Sequence, residues 1–380
     1  MKHIIMAVTN DLVTDQRVHR SCSALTQAGL RVTLVGRRLP DSPAMAPRDY
    51  STCRMSLLFR RSALFYAEYN MRLFLRLLFS RADAFYANDT DTLLAAAWAA
   101  RIRRKKLFFD AHELFPDVPE LVDKPRVQAV WRWVERHCLP QVDAAFTVCQ
   151  SVADEYRKRY QIDMAVVRNL PEPVEVSQPS PVTLQPNTIL YQGAVNLGRG
   201  VRELIDAMQY LPQCHLAIAG DGDIRQSLQH YAAQLPWSSR ISFLGRIAPA
   251  QLHALTPQAA VGVCLLENLG LNYQYSLPNR IADFAAASVP IVATDFIEIR
   301  RVVDQFRIGT LVPPCPQSKS GSGYTQYIKD LARTIDTTIA QWSAISPQQR
   351  QALFSPARTE LAWTNEKKIL VNKINNTLLR

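Results

Sequence analysis

The stretch TILYQGAVNLGRGVRELIDAMQYLPQCHLAIAG, residues 188–220, decides the fold. It opens on a β-rich apolar run, Thr188–Gly193, and passes a glycine-containing turn. A segment with helical spacing follows over Val201–Tyr210, and a second apolar run, His215–Gly220, closes it. Strands without polar alternation are buried on both faces, and two of them joined by a helix make a parallel βαβ unit. Working outward toward the C-terminus, helical spacing returns at Asp223–Leu235, and apolar runs at Ile241–Gly245, Ala260–Leu266, Pro290–Asp295 and Ile308–Val312. Toward the N-terminus the runs are His3–Val8, Arg31–Gly36, Ala84–Asn88, Lys106–His112, Ala144–Val148 and Met164–Asn169. Six runs, a gap and six more predict an α/β protein of two doubly wound parallel-sheet domains.

The gap, Leu170–Asn187, holds prolines 171, 173, 179, 181 and 186 and reads as a stiff exposed linker. The expected domains are therefore 1–170 and 188–355, with 171–187 as linker and a terminal helix over 356–380. A length of 380 residues agrees with two cores rather than one. In open parallel sheets ligands lie beyond the carboxyl ends of the strands, so two hinged domains of this kind are expected to face each other across a cleft, one ligand on each side.

A composition of 48% hydrophobic and 20% charged residues excludes disordered, fibrous and multi-span membrane classes. The longest apolar stretches, such as Leu93–Ala100, fall far short of a membrane span, and Met1-Lys2-His3 leads straight into a strand, so a cytoplasmic location is expected. Seven widely spaced cysteines without a C-x-x-C pair argue against disulfides and zinc. The net charge is +11, and residues 1–170 carry 26 Lys and Arg against 18 Asp and Glu. Anionic partners are favoured: a phosphorylated small molecule, a membrane surface or nucleic acid. With no recognition helix or aromatic stacking module, nucleic acid is not expected.

Several short stretches stand in a fixed order. Thr9-Asn10-Asp11 and Asp15-Gln16-Arg17-Val18 follow the first strand, and Asp110-Ala111-His112-Glu113-Leu114-Phe115 ends the fourth. The second half has Tyr191-Gln192-Gly193 with Arg199-Gly200, Ala219-Gly220-Asp221-Gly222, Phe243-Leu244-Gly245, Ser276-Leu277-Pro278-Asn279-Arg280 and Pro290-Ile291-Val292-Ala293-Thr294, then Trp363 and Glu366. Over nearly its whole length the chain resembles the retaining, nucleotide-sugar-dependent family 4 glycosyltransferases of GT-B fold, of the bacterial cell-surface polysaccharide and glycolipid type. The resemblance implies two Rossmann-like domains across a cleft and transfer of a sugar from a nucleoside-diphosphate sugar, held by the C-terminal domain, to a hydroxyl of a glycan or glycolipid held by the N-terminal one. It implies retention by front-face attack, no cofactor, no catalytic metal, and a last helix that returns to the N-terminal domain.

Ser276-Leu277-Pro278 reads as a helix start, with serine as N-cap, proline in the first turn, and Ile281, Phe284 and Ala285 as the apolar face. Free N–H groups there suit a diphosphate, and Arg280 opposes the helix dipole unless a bound anion compensates it; the alternative is an ordinary capped helix with a solvated arginine. Arg199 stands where the family carries a Lys or Arg that grips the same diphosphate, and its fixed charge would stabilise the departing nucleotide. The resemblance adds Gly193, Gly220, Gly245, Arg246, Leu277, Asn279 and Asp283 to the donor side. His112, between Asp110 and Glu113 at a strand's carboxyl end, matches the histidine that approaches the donor sugar near the reacting carbon. Asn10, Asp11, Asp15, Arg17 and Glu113 fall on the acceptor side, with Asp15 and Arg17 reading equally as a structural ion pair.

The chain also departs from the family. Where two glutamates are usual eight positions apart, counting back from Pro290 gives Asp283 and Tyr275; Glu267, at the end of the run Ala260–Leu266, is the available sugar-facing substitute and joins His112 and Arg199 as the expected catalytic set. Asp89-Thr90-Asp91 looks like a D-x-D metal motif, but it precedes a Leu- and Ala-rich helix, where an N-cap is the simpler reading. Arg54–Arg81 carries six arginines and one acid among apolar residues. Read as a helix, it offers either a shelf for an anionic membrane surface or a face packed into the N-terminal domain. Two other activities fit the architecture: an inactive nucleotide-sugar-binding subunit and a nucleotide-sugar 2-epimerase.

Overall fold

The computed structural model describes residues 1–13, 15–40, 42, 44–121, 123–172, 178–180 and 182–379, so Pro173 and Pro181 of the expected linker lie outside the described residues. It divides into two compact units: Met1–Asn169 with Thr364–Arg380, and Leu170–Trp363.

The first unit runs β1 (His3–Asp11), α1 (Gln16–Gln27), β2 (Arg31–Arg38), β3 (Ser51–Ser56), α2 (Ser62–Leu78), β4 (Ala84–Asn88), α3 (Thr90–Arg103), β5 (Lys106–Ala111), α4 (Pro125–Cys138), β6 (Ala144–Thr147), α5 (Gln150–Tyr160) and β7 (Met164–Val166). Its seven strands are all parallel, in the order β3-β2-β1-β4-β5-β6-β7. Ile4, Met6, Phe85, Tyr86, Phe108 and Phe109 are fully buried on both faces of the central strands, which is why those strands read as unbroken apolar runs. The segment Arg54–Arg81, read as a helix, begins instead in an edge strand: Ser51–Ser56 pairs along β2 from Thr33↔Ser51 to Arg38↔Ser56, and the helix starts only at Ser62. An edge strand needs no apolar run, so periodicity misses it.

The second unit runs β8 (Thr188–Gln192), α6 (Val201–Ala207), β9 (His215–Ala219), α7 (Arg225–Ala233), β10 (Ile241–Gly245), α8 (Pro249–Leu255), β11 (Val261–Cys264), α9 (Leu271–Gln274), α10 (Asn279–Ala286), β12 (Ile291–Thr294), α11 (Ile297–Phe306), β13 (Gly309–Val312), α12 (Gly321–Ser343) and α13 (Pro347–Glu360). Its six parallel strands are ordered β10-β9-β8-β11-β12-β13. Strand residues alternate between two cores: Ile189, Tyr191 and Val263 pack with Ile328, Leu331 and Ile335 of α12, while Leu190, Cys264 and Ala293 pack with Phe284, Ile299 and Phe354. Each fully buried aliphatic or aromatic side chain contributes about 1.5–3 kcal/mol. α13 runs through position 356 and stays with this unit; the chain leaves it at Trp363, whose N–H donates to the Pro171 carbonyl at 3.0 Å.

The last helix, α14 (Trp363–Leu378), belongs from Thr364 to the first unit. Its Glu366, 1% exposed, takes the Arg168 backbone N–H at 2.7 Å and pairs with the guanidinium at 2.7 Å. In both sheets the strand order reverses beside the first strand of the unit, at β1/β4 and at β8/β11. Those are the points where an open α/β sheet binds ligands.

Candidate active site

In the first unit, the carboxyl ends of β1, β4 and β5 bring Thr9, Asp89, Asp91, Asp110 and His112 together. Asp110 is 1% exposed and receives Arg17 at 2.7 Å and the Tyr86 hydroxyl at 3.1 Å. Arg17 also donates to the Val167 carbonyl at 2.8 Å. Burial opposes ionisation of Asp110, but Arg17 and His112 hold it well below the usual carboxylate range. Asp89 accepts the His112 backbone N–H at 2.7 Å and lies 3.2 Å from Nδ1. His112 Nε2 is 3.5 Å from Asp110 Oδ2, close enough for attraction but without a hydrogen bond, so that proton is unspent. Burial alone would lower the imidazole pKa; the carboxylates of Asp89 and Asp110 outweigh it and raise it to about 9. His112 is therefore an imidazolium at neutral pH. Asp91 is raised to about 8 by burial and by the Asp89 charge, and accepts the Thr9 hydroxyl at 2.5 Å.

Three expectations change here. Arg17 pairs with Asp110 rather than Asp15, while Asp15 caps α1 by accepting the Val18 N–H at 3.0 Å and also takes the Asn10 amide at 3.0 Å. Asp11 is folded into the protein: it is 7% exposed, accepts the Val13 N–H and pairs with Arg54 at 3.0 Å. Asp89 occupies the N-cap position of α3 but makes no capping bond; its φ of 62° turns the carboxylate to His112 instead. Glu113 follows His112 and is half-buried.

In the second unit, Arg280 lies in the first turn of α10, 7% exposed, with its guanidinium carbon 4.5 Å over the Tyr191 ring. Its Nη1 is buried without a hydrogen-bond partner, and among the described residues no carboxylate lies within ion-pair distance; Asp283 acts only at longer range. A Cβ on Gly193, where φ is +126°, would come within 3.3 Å of Nη2. A Cβ on Gly220 would meet the Gly193 carbonyl at 1.8 Å, so two loops touch where only glycine fits. Arg199 stacks at 5.0 Å over Tyr273, with its Nε buried and unpartnered. This leaves two guanidiniums held by aromatic rings, neither in an ion pair with an acid among the described residues.

The remaining donor-side residues are more scattered. Ser276 does not cap the helix: its hydroxyl donates to the Tyr273 carbonyl at 2.9 Å, α10 begins at Asn279, and Pro278 holds the N-cap position with extended backbone. Leu277 packs against the core, Asn279 is exposed, and Asp283 accepts Gln192 at 3.4 Å. Gly245 has φ +69° and Arg246 is exposed beside it, after β10. Glu267, expected as a free carboxylate, is bound by Lys319 at 2.8 Å, and Lys319 also pairs with the buried Glu203 at 2.8 Å. Lys319 and Glu203, like Asp89, Asp91 and Tyr191, were not singled out in the sequence as site residues. Lys319 lies in a Ser/Gly-containing segment that carries no periodic signal.

Residues 15–178 match the family described as Glycosyltransferase Family 4, and residues 186–329 that described as Glycosyl transferases group 1. Together these define a two-domain glycosyltransferase. The chain belongs to the GT-B glycosyltransferases of the family 4 and group 1 type. No curated protein matches it in sequence. Among solved structures it is similar to sucrose-phosphate synthase from Thermosynechococcus elongatus, at 16% identity over 100% of this chain and 99% of that one with a TM-score of 0.73. Anabaena HepE in complex with UDP-glucose matches at 14% identity over 99% and 100%, TM-score 0.72. The apo lipopolysaccharide outer core galactosyltransferase WaaB matches at 15% over 99% and 99%, TM-score 0.67. These likenesses show the shared fold. Among the described residues, no helix is long and apolar enough to cross a membrane.

Proposed function

We propose that the protein transfers a sugar from a nucleoside-diphosphate sugar to a hydroxyl of a glycan or lipid-linked glycan, with retention at the anomeric carbon, in surface polysaccharide synthesis at the cytoplasmic face of the membrane. The observation that carries this reading is Arg280, a buried guanidinium without a counter-charge in a glycosyltransferase unit. A diphosphate is an anion whose geometry suits that fork. Arg280 and Arg199 would take up the charge that grows on the leaving diphosphate, so no metal ion enters the proposed step. In the first unit His112, already protonated, would donate a hydrogen bond to a sugar oxygen and could not act as a base. Acceptor deprotonation falls to the leaving phosphate oxygens. Asp283 would accept from the ribose. Because HepE is described with UDP-glucose, uridine nucleotides are the first to try.

One observation favours a second reading. Lys319 occupies Glu267, the substitute for the missing sugar-facing glutamate, which fits a subunit that binds donor without turning it over. The test is a thermal-shift panel of UDP-, GDP-, ADP- and CMP-sugars, followed by incubation of the stabilising donor with and without lipid-linked glycan. Stabilisation and transfer are expected. Stabilisation without transfer would establish the binding subunit, an epimerised donor in the acceptor-free arm would establish the epimerase, and no stabilisation by any sugar nucleotide would end the proposal.

A further inference from the structure

A cavity of ≈ 290 Å³ opens at the carboxyl ends of β2 and β3 in the first unit, apart from the His112 cluster, walled by Arg37, Arg38 and Arg60 with Leu57, Phe59 and Phe65. Register explains the grouping: Arg37 and Arg38 end β2 opposite Met55 and Ser56, where β3 runs into the loop that carries Arg60. Arg37 is held 4.8 Å over the Phe65 ring, and its Nε is buried with no hydrogen-bond partner. The loop is pinned as well. Glu68, the one acid between residues 54 and 81, accepts the Leu58 and Phe59 N–H groups at 2.9 Å and pairs with Arg72 at 2.6 Å, which leaves it unavailable to the cavity arginines. Asp11 is likewise engaged by Arg54. Among the described residues, none of Arg37, Arg38 and Arg60 pairs with a carboxylate; Asp41 lies outside the described residues.

Three permanently charged forks around one small cavity repel each other unless an anion joins them, and the fork matches phosphate oxygens. From the cavity's edge, α2 carries an outward stripe of Leu64, Met71, Leu75 and Phe79, all exposed. The position of the cavity in the unit expected to take the acceptor, and this stripe beside it, define the ligand. We propose that the cavity binds the phosphate or diphosphate ester group of an amphiphilic acceptor, whose hydrocarbon chain lies along the exposed face of α2. The inference rests on the transferase reading for its word "acceptor", but the anion site itself does not.

Calorimetric titration of the full chain with inorganic pyrophosphate, and separately with dodecyl phosphate against inorganic phosphate, tests it. Pyrophosphate is expected to occupy two sites, one weakened about 10- to 100-fold in Arg280→Met and the other about 100- to 10,000-fold in Arg38→Ala/Arg60→Ala, since each charge-assisted contact is worth about 10- to 100-fold. Dodecyl phosphate is expected to bind more tightly than phosphate, and Leu75→Glu/Phe79→Glu to remove that advantage while sparing phosphate. Pyrophosphate binding unchanged in Arg38→Ala/Arg60→Ala would overturn the site; equal affinity for the two phosphates would overturn the amphiphile. Uridine diphosphate titration of the same variants separates the two proposals. Retained nucleotide binding shows a folded protein, whereas absent nucleotide binding in the wild type alongside an intact Arg38/Arg60 site would sink the donor reading alone.

Discussion

Replacing Arg280 by methionine should move the stability of the free protein and its affinity for nucleotide in opposite directions. In the free protein the guanidinium is 7% exposed and, among the described residues, meets no carboxylate within ion-pair distance, so its desolvation is offset mainly by the Tyr191 ring, with Asp283 acting only at longer range. An uncompensated buried charge costs about 3–5 kcal/mol, and a desolvated cation–π contact returns about 2. Methionine keeps part of the apolar packing and removes the charge. The substitution should therefore leave the second unit as stable as before or raise its Tm, by about 2–4 °C for each kcal/mol gained. Nucleotide binding loses one charge-assisted contact, about 1.5–3 kcal/mol, or roughly 10- to 100-fold in Kd. At a uridine diphosphate concentration 100 times the wild-type Kd, the stabilisation by ligand is about 2.7 kcal/mol; a thirtyfold weaker Kd cuts it to about 0.9. Differential scanning fluorimetry with and without nucleotide reads both quantities. A variant that melts several degrees lower yet keeps the full nucleotide shift would show that Arg280 is a structural core cation and that the diphosphate binds elsewhere.

The protonated state of His112 is complete below its ordinary value near 6.5 and is lost as pH rises through about 9, so transfer should decline above pH 9 and His112→Gln should abolish that limb; an identical decline in the variant would remove His112 from the chemistry. Folding prefers Asp91 protonated, so the stability this gives is whole below an ordinary value near 3.8 and gone once pH has risen through about 8; urea midpoints should fall between pH 5 and 9 in the wild type and less in Asp91→Asn, and parallel curves would contradict the burial argument. On the proposed reading, in which two guanidiniums rather than a metal would meet the leaving group, transfer should survive an excess of EDTA; loss restored by a divalent cation would refute that assignment. Sedimentation with vesicles containing phosphatidylglycerol should be lost when Arg61, Arg72 and Arg76 are changed to glutamate, and unchanged sedimentation would end the membrane reading.

The sheets were legible because their central strands, covered on both faces, must be apolar along their length, and among the described residues twelve of the thirteen strands, including the edge strands β7, β10 and β13, carry an apolar run. The exception, Ser51–Ser56, sits at an edge. The placement of candidate residues was legible where a strand end or a helix start fixes it, as for Gly193 and His112 just after their strands and Arg280 in the first turn of α10. It was not legible where the role depends on a partner far away in sequence. Arg17 finds Asp110 across 93 residues, and Lys319 finds Glu267 across 52. Ser276 failed for a local reason: the chain makes the short helix Leu271–Gln274 just before it, and the hydroxyl is used to close that turn.

The two strand-end sites share a topology and balance charge in opposite ways. In the first unit the cations Arg17 and His112 face the carboxylates Asp110 and Asp89, and Asp91 is kept protonated, so the cluster has little net charge to offer an anion. What it offers is direction: an unspent imidazolium proton at a strand end, suited to sugar hydroxyls, which are neutral and recognised by hydrogen bonds. In the second unit Lys319 bridges Glu267 and Glu203, offsetting part of the charge of two carboxylates with one cation. Among the described residues neither Arg199 nor Arg280 makes an ion pair, so their charge stays available to an anion. On the proposed reading a diphosphate is drawn to the second unit and a sugar hydroxyl to the first, a division of labour that would follow from which cations found partners.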